Sequence, residues 1–266
     1  MSNYLARLTG TTILVCAAGA ATAQEELNAL VWCDHTDPAL IEPFEEKFNA
    51  KVNLREYEGT GAALALLEQS RPGDWDVLVI DGIDVFRAVD AGILAPLPAD
   101  DLPTADFFPE VVMEENNSAD GVVYAVTEKF GYNTISYNAD AVDEADMQDM
   151  AAVLSEKYAG RLSIYDYYLP VMGLAALADG IATADIDGTS LESIGATLST
   201  MKERSASVAG VVAAQTALAT GEVDIVVGGG EWLTAVLSNE RPELTWTIPE
   251  QADTRVSHGT PTCIRR

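Results

Sequence analysis

The side chains able to do chemistry in this 266-residue chain are mostly carboxylates and aromatic rings, placed where apolar runs end. Trp32 closes the apolar run 27–32, Asp34 and His35 follow it, and Asp81 follows the run 75–80. Glu128 and Tyr132 fall in the stretch 125–132, between a strand at 121–126 and the continuation of an extended segment at 130–137. Asp166 and Tyr167 follow the run 161–165, and Gly228-Gly229-Gly230 leads into Glu231. These ten positions, with Gly229 for the glycine run, are the candidate lining of a small-molecule site. Most have a second reading. Trp32 is a cleft aromatic or a core residue. Asp34 and His35 line a pocket or belong to a solvated turn. Asp81 is a ligand carboxylate or a helix cap. The glycine run is a hinge or a point of close backbone approach, or a helix start able to take an anion.

Reaction chemistry finds little support. There is no Gly-x-Ser-x-Gly elbow and no HExxH helix. His35 and His258 are far apart, with no evident nucleophile. The glycine run lacks the Lys-Ser/Thr of a nucleotide loop. Acids are so abundant that any carboxylate pair is uninformative about a hydrolase, which stays as the runner-up from another class.

The elements that must position these residues follow from periodicity. Residues 27–32 read as a strand and 52–57 as a second. Between them Leu40, Ile41, Phe44 and Phe48 repeat at helical spacing, with Thr36 or Asp37 as cap and Pro38 in the first turn. This is a βαβ unit with a right-handed crossover. Strand–helix alternation recurs along the chain and argues for parallel sheets. Ligands in such sheets bind beyond the carboxyl ends of the strands, which is where the candidate residues fall. The pattern reads as two α/β lobes in tandem, with crossings near 125–132 and 228–230. Lobe one spans 24–127, with 229–252 returning to it, and lobe two spans 128–228. Residues 253–266 lack apolar periodicity and read as an irregular tail.

The formal charge is −27, with the acids scattered as a solvated coat. Such a surface repels nucleic acid and anionic lipid and steers cations. Residues 1–23 read as a cleaved secretory signal: Arg7, a short apolar stretch at 11–20, then Ala21-Thr22-Ala23. Export permits a disulfide between Cys33 and Cys263, whose spacing suggests no metal site. No cofactor is expected.

The order of motifs resembles the extracytoplasmic solute-binding proteins of ABC importers, and most of all their spermidine/putrescine branch. The resemblance is carried by Val31-Trp32, Pro43-Phe44-Glu45, Trp75-Asp76-Val77-Leu78-Val79, Gly92-Ile93-Leu94-Ala95-Pro96-Leu97, Tyr124-Ala125-Val126, Tyr158-Ala159-Gly160-Arg161 and Gly221-Glu222-Val223. It implies a type II periplasmic-binding-protein-like fold with the ligand gripped between two lobes. It also implies a periplasmic, monomeric protein that hands its solute to a membrane permease. In that branch carboxylates hold ammonium groups and rings stack on the methylene chain. Here Trp32 matches the first-strand tryptophan, and His35 falls where an aromatic is usual. Asp81 stands for a small polar residue and Ile83 for a tyrosine. Tyr167 and Pro170 stand at acidic positions, and Gly229 replaces a stacking tryptophan. The expected solute is therefore a small organic molecule, polyamine-like or an amino-acid derivative. Family members continue past the last strand, so a shortened C-terminus is expected, with apolar surface of lobe one uncovered.

Overall fold

The computed structural model describes residues 24–102, 104–109, 112, 114–250 and 258–264. The signal reading of residues 1–23 lies outside these, as do the side chains of Cys33 and Cys263.

Strand β1 (Glu25–Val31) runs through a short turn into α1 (Pro38–Phe48), and β2 (Ala50–Glu56) returns parallel to β1. Asp37 accepts the Ala39 N–H at 2.9 Å, and Pro38 opens the helix where a missing N–H costs nothing. Helix α2 (Thr60–Glu68) leads to β3 (Val77–Val79), parallel to β1 on its other side, and then to α3 (Val85–Asp90). A one-turn helix α4 (Glu114–Asn117) and the hairpin β4 (Ser118–Ala119)–β5 (Val122–Val123) precede β6 (Ala125–Gly131).

Tyr132 alone separates β6 from β7 (Asn133–Asn138), which lies in a second sheet. That lobe continues with α5 (Met150–Val153), β8 (Leu162–Tyr165), α6 (Tyr168–Ala178), α7 (Leu191–Arg204) and β9 (Ser207–Ala209). Then come α8 (Val211–Thr220), β10 (Ile225–Gly230), α9 (Glu231–Ser238) and β11 (Leu244–Thr247). The second sheet has the order β11-β7-β10-β8-β9. The chain then returns to the first sheet with β12 (His258–Ile264), completing the order β2-β1-β3-β12-β6.

Two sequence expectations are corrected here. Residues 229–250 do not return to the first lobe: α9 follows β10, and β11 pairs antiparallel with β7. The glycine run breaks register inside β10, between Val227 and Gly229, rather than carrying the chain across. Gly228 has φ 91°, and a Cβ there would lie 2.7 Å from Val171 Cγ2, so only glycine admits this approach of strand and helix. The tail is not irregular throughout either. β12 pairs antiparallel with both β3 and β6, with a register shift between Thr260 and Pro261. Main-chain bonds to two neighbours define this strand, so it needs no apolar alternation, and a proline is tolerated at the irregularity.

In the second lobe both faces of the sheet are packed, one around Ile135, Tyr158 and Leu174, the other around Leu218, Val226 and Leu233. In the first lobe one face packs against α2 and α3 through Leu30, Leu67, Leu78 and Ile80. The other face packs around Ala29, Val31 and Val79, and α1 has no buried residue; Leu40 and Phe48 are exposed.

Candidate functional site

A cleft of about 270 Å³ lies between the lobes. The first lobe supplies residues just past its strands: Trp32 and Asp34 after β1, Tyr57, Glu58 and Gly59 after β2, Asp81 after β3. The second supplies Tyr165 and Tyr167 around the end of β8, Val211 at the start of α8, and Gly228, Gly230, Glu231 and Trp232. Lys129, Phe130, Gly131 and Tyr132 form the wall where the chain crosses. The parallel strands β1, β2, β3, β8 and β10 thus all open their carboxyl ends on this cleft.

The lobes touch across the cleft. The Tyr167 hydroxyl donates to Asp81, and its ring lies 3.7 Å from a Cβ placed on Gly59. Thr60 also donates to Asp81, at 3.0 Å. Beside this pair the Tyr168 hydroxyl donates to Asp84 at 2.6 Å. Burial pushes the Asp81 carboxyl up to about 7; the charge of Asp84 adds to this, while the Thr60 bond and the charge of Lys129 oppose it. Burial, with the hydrogen bond to Asp84, also holds the Tyr168 hydroxyl well above its ordinary range.

On the first-lobe wall four charges interlock. Lys129 donates to Asp34, Asp34 lies 2.8 Å from His35 Nδ1, and His35 Nε2 meets Glu128. Burial opposes the charge on His35, but its bonds to Asp34 and Glu128 outweigh burial and raise it to about 9. Burial would likewise raise Asp34, yet the bonds from His35 and Lys129 hold it well below the usual carboxylate range. The Lys129 ammonium lies 5.2 Å from the Trp32 ring centroid.

Of the sequence candidates, Trp32, Asp34, Asp81, Tyr132, Tyr167 and Glu231 line the cleft. His35 and Glu128 stand behind it as part of the charge cluster. Asp166 lines a separate hollow of the second lobe, beside Ile164 and Met172, which Tyr165 and Tyr167 also touch. Gly229 packs toward Leu233, and its neighbours face the cleft instead. Residues missed from sequence include Tyr57, Glu58, Lys129, Tyr165 and Trp232. The Trp232 indole folds over Gly230, whose Cβ it would exclude, so the cleft has a tryptophan three positions beyond Gly229. Among the described residues no group of His, Cys, Asp and Glu is arranged to hold a metal ion, and no helix is long and apolar enough to cross a membrane.

A family model for bacterial extracellular solute-binding proteins matches residues 39–265. The chain belongs to this family. No match was found among curated proteins. Solved structures of this solute-binding fold align over 91% of the chain. The Tp0655 (TpPotD) lipoprotein of Treponema pallidum does so with TM-score 0.78 and 20% identity, over 75% of its own length. The spermidine/putrescine substrate-binding protein PotD of Streptococcus pneumoniae aligns with TM-score 0.71 and 18% identity, over 73% of its length. The MotA binding protein of A. tumefaciens B6, solved with glucopine, gives 0.73 and 19%, also over 73%. The solute-binding chain thus has the two-lobed type II architecture of periplasmic binding proteins.

Proposed function

We propose that this chain is the solute-binding component of an ABC importer, and that it captures a small organic cation in the cleft between its lobes. One observation carries the reading: carboxylates and ring faces line the same interlobe space, with Glu58 and Glu231 beside Trp32, Tyr57 and Trp232. A ring face attracts a cation by roughly 0.5–2 kcal/mol, and a charge-assisted hydrogen bond fixes its direction. Capture stabilises the closed arrangement of the lobes, and the closed form docks on a membrane permease. No bond of the solute is made or broken. The protein acts as a monomer in the periplasm after export. Polyamines are one amine class in reach, in keeping with the likeness to the spermidine/putrescine substrate-binding protein of Streptococcus pneumoniae.

Calorimetry of the purified chain against putrescine, spermidine and simple monoamines tests this. Saturable one-to-one heat is expected with at least one amine. Trp232→Ala weakens it by roughly tenfold and leaves the melting temperature nearly unchanged, because that ring is exposed. Absence of heat with every amine, or formation of a product, overturns the reading.

A further inference from the structure

We infer that Tyr168 and Asp84, which stand outside the cleft lining, form with Tyr167 and Asp81 a latch between the lobes, and that this latch sets how readily the cleft closes. Its effect on solute affinity rests on the solute-binding reading above; its effect on the shape of the molecule does not. The latch is built from two short segments. In the first lobe Asp81 follows β3, and the turn Gly82–Asp84 brings Asp84 to the start of α3. In the second lobe Tyr167 follows β8, and Tyr168 is the first residue of α6. The Tyr167 hydroxyl donates to Asp81, and the Tyr168 hydroxyl donates to Asp84 at 2.6 Å. The two rings brace each other edge to face, with centroids 5.3 Å apart. Adjacent tyrosines thus meet two carboxylates of one turn, and the pairs form a single contact.

The two pairs differ in what else they touch. Tyr167 and Asp81 line the cleft, within reach of a solute, whereas Tyr168 and Asp84 do not. Both carboxylates are buried, Asp81 to 4% exposure and Asp84 to 5%, and a buried carboxylate needs donors. Thr60 of the same lobe supplies one to Asp81. Asp84 has Arg87 at 3.8 Å, and that guanidinium is mostly in solvent. The close donor to Asp84 is therefore the hydroxyl from the opposite lobe. That hydroxyl keeps its proton, since burial and the bond to Asp84 hold it well above its ordinary range. When the lobes part, water replaces it on Asp84; when they meet, Tyr168 returns. Removing the hydroxyl leaves a charge short of a donor in the closed form alone. The closed–open equilibrium then moves, and no contact of the solute is lost.

Small-angle X-ray scattering of the purified chain without solute reads its shape, and calorimetry with putrescine, spermidine and simple monoamines reads affinity. Tyr168→Phe is expected to lower the closed-to-open ratio roughly tenfold, the worth of one hydrogen bond to a charged group. Any amine that binds is weakened by up to the same factor, with stoichiometry unchanged. Tyr167→Phe together with Tyr168→Phe removes both bonds and raises the radius of gyration further. Asp84→Asn keeps an acceptor and has no charge to desolvate, so that chain stays at least as closed as the unaltered one. Tyr168→Phe added to Asp84→Ala changes nothing more, because its partner is already gone. A radius of gyration that is the same in the unaltered chain and the double tyrosine variant overturns the latch and leaves the solute-binding reading standing. So does an amine affinity that Tyr168→Phe leaves unchanged. Absence of binding by every amine overturns the solute-binding reading alone, and the scattering still decides the latch.

Discussion

Asp81 is the residue where the structure makes its sharpest quantitative demand. Its side chain is buried between the lobes, and its carboxyl is raised from 3.8 to about 7. A carboxyl raised by folding favours the folded, closed form most below its ordinary pKa, and that advantage is lost as pH rises through about 7. Relative to an acid free to ionise, holding Asp81 buried costs roughly 4 kcal/mol at pH 7 and roughly 2 kcal/mol at pH 5. Asp81→Asn keeps the shape and an acceptor for Tyr167 but carries no proton to titrate. Urea unfolding of both chains at half-unit steps from pH 5 to 8 isolates the effect, since other titrating groups cancel in the difference. The variant is expected to be the more stable at pH 7, and its margin to shrink by roughly 2 kcal/mol on going to pH 5. A difference that stays flat across that range would refute the assignment of a buried, neutral-leaning carboxyl to this position.

Two further outcomes are expected. His35, raised to about 9, contributes stability that is complete below pH 6.5 and lost as pH rises through about 9; proton NMR of the two histidines checks for an imidazole titrating near the higher value, and His35→Gln flattens the alkaline part of the stability curve. Gly228→Ala places a methyl 2.7 Å from Val171 at φ 91° and lowers stability by about 1–3 kcal/mol, read as a shift of the urea midpoint with unchanged slope.

Much of the fold was legible because local and global signals agree in the first βαβ unit. Asp37 caps where its side chain predicts, Pro38 opens the helix, and the parallel pairing of β1 with β2 follows. Cleft residues that end a strand, such as Trp32 and Asp81, were found for the same reason. Others depend on reach or neighbours that spacing does not encode. Trp232 enters the cleft by folding back over Gly230, and Lys129 looks like any exposed charge until Asp34 and Trp32 are seen around it. Asp166 lines only the neighbouring hollow, whereas Tyr167 beside it reaches the cleft as well. β12 carries no apolar rhythm, because two flanking strands specify it.

The position of β12 also bears on how the molecule comes into being. It is the wedge between β3 and β6, and among the described residues these strands pair through it rather than with each other. Synthesis delivers that wedge only after every strand of the second sheet. Until then two raw strand edges of the first sheet wait for a partner, prone to accept the wrong one.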